Sequence, residues 1–238
     1  MLDWRIRVPG RDYDWQIPNS KLAGYRPDWI TIKTSPSWAS EEICKLPERQ
    51  YWADAARFYQ AVIDKYQPRY LEIWNEPNAA TLDYPQLFGC IGDGQAYGEY
   101  VAYIYQEVRG ADIIIGAVSD IYDPFVSDML QAAGENYDGL SFHCYEQYWD
   151  RLLDGCLTHY DHAKTLTDKP VYLSETAVIW KRGSEAGYEY AQVQHFRRLR
   201  ALPTVWFWYT VCNNGWPVEM PTDMCGRPVW QEYNAAIR

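Results

Sequence analysis

The stretch LEIWNEPN, residues 71–78, decides how the rest of the chain is read. Leu71, Ile73 and Trp74 suit a buried strand. Asn75 and Glu76 then place an amide beside a carboxylate, and Pro77 ends the run. A polar pair at the end of an apolar strand is a pattern with a consequence, because it recurs. GLSFHCY (139–145) ends in His143 and Tyr145. VYLSE (171–175) ends in Glu175, and TVWFWY (204–209) carries Trp208 near its end.

Three more apolar, β-rich runs complete the set: DWRIRV (3–8), WITIKT (29–34) and DIIIGAV (112–118). Longer segments at 49–66, 96–109, 123–135 and 187–201 lie between the runs and space apolar residues three or four apart, as amphipathic helices do. Pro68 and Pro170 stand just before strands, where the helices have stopped. Strands alternating with helices predict βα units and a parallel sheet. The near-continuous apolar character of the runs predicts a sheet covered on both faces. We therefore expect an α/β fold, a (β/α)8 TIM-type barrel, in one catalytic domain over 1–238. Such barrels take about 250 residues, and this chain has 238. In a barrel the C-terminal strand ends and the loops after them form the active-site face. Four runs thus send polar or aromatic groups to one rim.

Composition narrows the chemistry. Hydrophobic residues make up 47% and charged residues 23%, as in an ordinary soluble domain. The aromatics are unusual, with 12 Trp and 21 Tyr against 6 Phe. Trp and Tyr offer a flat apolar face with a polar tip, which suits stacking on sugar rings as well as core packing. Net charge is −10, from 22 basic and 32 acidic residues. That balance disfavours nucleic acid, whose binding rests on Lys and Arg neutralising phosphates. No apolar run approaches the roughly 18 residues needed to cross a membrane, so no membrane partner is expected. No signal peptide opens the chain, which does not exclude secretion.

Six cysteines stand at 44, 90, 144, 156, 212 and 225. No CxxC pair occurs, so no metal site is expected. Cys144 and Cys156 bracket one loop and Cys212 and Cys225 another; each pair is a plausible bridge. The expected setting is secreted or extracytoplasmic, with six thiols in a reducing cytosol as the alternative.

Glu76 and Glu175 are the candidate catalytic pair. Retaining hydrolysis of a glycosidic bond needs one carboxyl group to protonate the leaving oxygen and another to attack the anomeric carbon. The pair must lie about 5 to 5.5 Å apart and hold different protonation states. Opposed barrel strands can meet that demand. No GxSxG elbow occurs, which argues against a serine hydrolase.

WNEPN followed by SET resembles the two signature strands of the clan A glycoside hydrolases, retaining enzymes on a (β/α)8 barrel. The IWNEPN form is most like family 39 and its neighbours. DYDWQIPN (12–19) followed by ITIKTSPSWAS (30–40) is similar to that group's second-to-third-strand region. The resemblance implies Glu76 as acid/base and Glu175 as nucleophile. It implies that Asn75 binds the sugar 2-hydroxyl. His143 and Tyr145 match the strand-six pair, with the Tyr hydrogen-bonded to the nucleophile. Trp208 matches the Trp that floors the reacting sugar's subsite. Arg7 resembles an Arg that supports the nucleophile, with Arg5 a close competitor. For His143 a core imidazole remains the alternative.

In the family, NEP ends the fourth strand and the nucleophile the seventh; here they end the third and sixth runs. We therefore expect a barrel lacking its first strand and helix, with an open edge that another segment or a homo-oligomeric partner covers. Trp38, Trp149, Trp180 and Trp216 fall in loops after strands, either as sugar platforms or as loop packing; Trp38 is taken as a substrate-binding candidate. The expected activity is cleavage of a β-linked polysaccharide or oligosaccharide with no cofactor. A carbohydrate-binding barrel without turnover is the alternative, and a truncated, inactive domain a third reading.

Overall fold

The computed structural model describes residues 2–3, 27–33, 35–79, 91–153, 155–208, 228 and 231. The chain divides into two compact units, 1–141 and 142–238.

The first unit is a parallel α/β layer arrangement. Strand β1 (Leu2–Asp3) pairs with β2 (Trp29–Lys33), β2 with β3 (Tyr70–Ile73), and β3 with β4 (Asp112–Val118), all parallel and in sequence order. The register sets Trp29 against Tyr70 and Tyr70 against Asp112. All four residues of β3 are buried. Such double-sided burial is why these strands read as continuous apolar runs and not as alternating ones.

Helix α1 (Trp52–Tyr66) follows a turn of 3-10 helix at Arg49–Tyr51. It buries Trp52, Ala55, Ala56, Phe58, Tyr59, Val62 and Ile63, a stripe with three- and four-residue spacing. Gln67 closes it in the left-handed region at φ 49°, just ahead of Pro68. Helix α2 (Gly94–Glu107) is capped by the Asp93 carboxylate, which accepts from Ala96 N–H. Helix α3 (Pro124–Ala133) is capped by Asp123, with Pro124 in its first turn. The two cross closely enough that a Cβ on Gly98 would lie 2.3 Å from the Met129 carbonyl oxygen. Only glycine fits that crossing.

Strand β5 (Gly139–Trp149) starts in the first unit and continues into the second. In the second unit it turns back into β6 (Leu152–Leu153), antiparallel, with Gln147 against Leu153. Strand β7 (Val171–Arg182) pairs in parallel with β8 (Trp206–Trp208). Helix α4 (Cys156–Leu166) precedes β7, and α5 (Glu185–Leu199) lies between β7 and β8. Helix α5 buries Tyr188, Ala191, Gln192, His195, Phe196 and Leu199.

The parallel strand–helix alternation expected from the sequence is present. Six of the seven runs recur as strands; of DWRIRV only the first residue falls in a described strand, β1, and residues 4–8 lie outside the described residues. Helix α4 was not anticipated. It buries only Cys156, Tyr160 and Ala163, too thin a stripe to stand out among its Thr, His and Asp residues.

Cys144 and Cys156 form a disulfide, which ties β5 to the start of α4. Cys44 is also disulfide-bonded. Cys212 and Cys225 lie outside the described residues. A disulfide fits an oxidising compartment. Among the described residues no helix is long and apolar enough to cross a membrane.

Candidate active site

In the first unit the chain leaves β3 through an unusual backbone. Trp74 and Glu76 both have positive φ, 74° and 46°. Side chains other than glycine pay about 1 to 3 kcal/mol each to sit there, so the neighbourhood must hold them in place. It does so through named bonds. Trp74 N–H donates to Ile32 O at 2.7 Å, prolonging the β2 pairing. Glu76 N–H donates to Ala117 O at 2.9 Å, and Ala79 N–H closes a turn onto Glu76 O at 3.0 Å. Ala117 itself has φ 49°. The strained turn holds Asn75 and Glu76 in buried positions.

Asn78 fixes this turn, a role that the sequence reading missed. It is buried, and its Oδ1 accepts from Ser119 N–H at 2.9 Å and from the Ser119 hydroxyl at 3.1 Å. Its Nδ2 donates to Asp120 O and to Asp123 Oδ2, each at 3.3 Å. One amide therefore ties the loop after β3 to the loop after β4 and to the cap of α3. Beneath the turn, buried Glu72 on β3 accepts from the Thr31 hydroxyl at 2.5 Å, the Ser141 hydroxyl at 2.7 Å and Trp29 Nε1 at 3.3 Å. That network satisfies a carboxylate inside the sheet, as a buried charge requires.

In the second unit Glu175 lies on β7, half-buried, with two partners from β5. The Tyr145 hydroxyl donates to Glu175 Oε2 at 2.6 Å. His143 Nδ1 lies 3.5 Å from the same oxygen, with the imidazole buried. The O···O separation is in the short range of hydroxyl-to-carboxylate bonds. It fixes the carboxylate's rotamer and leaves Oε1 outside this pairing. His143, Tyr145 and Glu175, chosen from three separate sequence positions, are thus brought together.

Thr176, the next residue, points to the opposite face of β7 and meets His195 Nε2 at 2.8 Å. His195 is buried on α5, and burial pushes its imidazole down to about 3. Below β5, Glu146 is buried as well. Desolvation pushes its carboxyl up, against the N–H groups of Cys156 and Gly155, which hydrogen-bond it. Sequence analysis gives His195 no role. Its period-four spacing from Ala191 and Leu199 on α5 is the signal that marks it as inward-facing.

Trp38 is half-buried and packs edge-on against Tyr51 at 5.3 Å. Arg7 and the Trp208 side chain lie outside the described residues.

No protein-family model matches the chain, and no curated protein matches its sequence. Solved structures do match. A family 39 glycoside hydrolase from the gut symbiont Bacteroides cellulosilyticus is 16% identical, with TM-score 0.68 over 94% of this chain and 53% of that one. A family 128 (subgroup VII) oligosaccharide-binding protein from Trichoderma gamsii is 17% identical, with TM-score 0.58 over 99% of this chain and 86% of that one. A family 128 (subgroup II) endo-β-1,3-glucanase from Sorangium cellulosum is 19% identical, with TM-score 0.54 over 74% and 75%. The chain spans about half the length of the family 39 structure. At these identities the likeness is one of fold. The resemblance to clan A glycoside hydrolases, family 39 among them, holds at that level.

Proposed function

We propose that this protein is a retaining glycoside hydrolase acting on a β-linked polysaccharide or oligosaccharide, on a (β/α)8-type scaffold and as one catalytic domain. Glu175 is the nucleophile and Glu76 the acid/base. The observation that carries this reading is the Tyr145–Glu175 bond at 2.6 Å. It holds a partly exposed carboxylate within β7 in one rotamer, which suits attack on an anomeric carbon. The strained presentation of Glu76 supports the second role, because backbone strain of this kind collects at functional sites.

Glu175 attacks the anomeric carbon and forms a glycosyl ester, while Glu76 gives its proton to the departing oxygen. Glu76, now ionised, takes a proton from water. That water attacks the same carbon and releases the sugar with its β-configuration and Glu175 as carboxylate. Asn75 binds the sugar 2-hydroxyl, His143 and Tyr145 hold Glu175, and Trp208 floors the reacting sugar. Arg7 supports the nucleophile, and Trp38 lies further along the cleft. The fold of the three solved structures supports the class, since two of them are glycoside hydrolases by description. The Cys144–Cys156 disulfide supports a secreted or extracytoplasmic setting.

The experiment is incubation with a panel of activated aryl β-glycosides and β-glucans, with intact-mass measurement after a slow-turnover 2-fluoro glycoside. Aryl release and a mass gain on Glu175 are expected. Binding without release favours the second reading, a carbohydrate-binding barrel. That alternative has one observation in its favour: the family 128 protein from Trichoderma gamsii shares the fold and is described as oligosaccharide-binding.

A further inference from the structure

Strand β5 changes character halfway along. Residues 139–144 are all buried; beyond them Tyr145 is half-buried, Glu146 buried, Gln147 exposed, Tyr148 buried and Trp149 exposed. Alternation with period two puts Tyr145, Gln147 and Trp149 on one face. At about 3.3 Å per residue, Trp149 stands roughly 13 Å along the strand from Tyr145. The face that begins at the partner of Glu175 therefore continues outward and ends in an indole.

That outer part is built to be rigid. On its hidden face Tyr148 packs against Tyr188 at 6.3 Å. The position needs glycine at 187, where a Cβ would lie 1.9 Å from the Tyr148 hydroxyl oxygen. The turn is pinned twice, by Trp149 N–H to Arg151 O at 2.9 Å and Asp150 N–H to Arg182 O at 3.2 Å. The indole itself is held. Its Nε1 donates to Gln147 Oε1 at 2.9 Å. The Arg182 guanidinium lies over the ring, 5.6 Å from its centroid, and Arg182 Nε is 3.1 Å from Asp150 Oδ2. Yet 40% of Trp149 stays in solvent. Holding a large aromatic ring in place while leaving it open to water stabilises the free protein little. It does prepare an aromatic surface with an amide at its edge and a guanidinium–carboxylate pair against the ring, the groups that bond sugar hydroxyls.

We infer that Trp149 is an outlying stacking platform for a distal sugar of a β-linked oligosaccharide, with Gln147, Arg182 and Asp150 available to its hydroxyls. This rests on the proposed glycan reading and adds to it a preference for chains over short substrates. The platform is pre-organised, so stacking there loses little rotamer freedom on binding.

The test uses Glu175→Gln, which can bind but not turn over, with and without Trp149→Ala. Both are titrated calorimetrically with β-1,3-gluco-, β-1,4-gluco- and β-1,4-xylo-oligosaccharides, each as disaccharide and hexasaccharide. Hexasaccharide affinity is expected to fall about tenfold in the double variant, as for loss of one aromatic contact, with disaccharide affinity unchanged. Trp149→Phe should recover part of the loss. An unchanged hexasaccharide affinity, or an equal loss for both lengths, overturns the platform and leaves the glycan reading standing. If neither protein binds any sugar in the panel, the glycan reading itself fails and the platform with it.

Discussion

Tyr145 and Glu175 come from different strands, thirty residues apart, and meet through a single hydroxyl-to-carboxylate bond of 2.6 Å. Tyr145→Phe removes the donor and little volume. A hydrogen bond to a charged group contributes about 1.5 to 3 kcal/mol, and catalysis that depends on the orientation of Glu175 should fall roughly 10- to 100-fold. The expected loss is in kcat, with KM nearly constant and the melting temperature within a few degrees. A variant with unchanged kcat shows that the bond is merely structural.

The two carboxylates should respond differently to the leaving group. Glu175→Gln removes the nucleophile, so turnover should vanish for every substrate. Glu76→Gln removes a proton donor, which an acidic phenol does not need on departure. For this variant we expect a loss of about 100- to 10,000-fold on a natural glycan. On a dinitrophenyl glycoside the glycosyl-enzyme should form rapidly and then accumulate, seen as a burst of phenol. Equal losses on both substrates contradict the acid/base assignment.

Asn78 should matter although it carries no chemistry. Asn78→Ala leaves the Ser119 N–H without its acceptor and the Asp123 cap without its outer partner. Losing a buried polar partner costs about 1 to 3 kcal/mol. The strained backbone at Trp74 and Glu76 then has fewer restraints. The expected result is a lower melting temperature together with reduced kcat. Asn78→Asp keeps the acceptor for Ser119 but sets a carboxylate oxygen against Asp123 Oδ2, so it should not recover the lost stability. A variant that is less stable yet fully active separates the amide from the site.

The positions most legible in the sequence were those where one residue type has one use. Glu76 and Glu175 end apolar runs, and a carboxylate is conspicuous there. Tyr145 and His143 follow the same logic, and His143 with Tyr145 does reach Glu175. Glu72 was invisible because its partners lie on other strands, Thr31 on β2 and Ser141 on β5. The pairing register that joins them cannot be read from spacing along one strand. Asn78 was hidden for a similar reason, since it acts across two loops. Helix α4 failed to stand out because a disulfide at Cys156 anchors it where an apolar stripe would otherwise be needed.

His195 makes stability depend on pH independently of the catalytic carboxylates. Its imidazole is buried on α5, its Nε2 lies against the Thr176 hydroxyl, and burial pushes it down to about 3 from the ordinary 6.5. In the unfolded chain it takes up a proton near pH 6.5. In the folded protein it stays neutral until about pH 3. Between those values the unfolded state holds one more proton than the folded state, so stability rises with pH. The contribution is fully present above pH 6.5 and is lost as pH falls towards 3, by about 1 kcal/mol per pH unit. Melting temperatures measured from pH 7.5 to 4.5 should therefore decline. In His195→Gln, which keeps a hydrogen-bonding group beside Thr176 but cannot titrate, the decline should be shallower by about one proton. A slope unchanged by the substitution means that His195 is protonated in the folded protein or that the acid sensitivity lies in other groups.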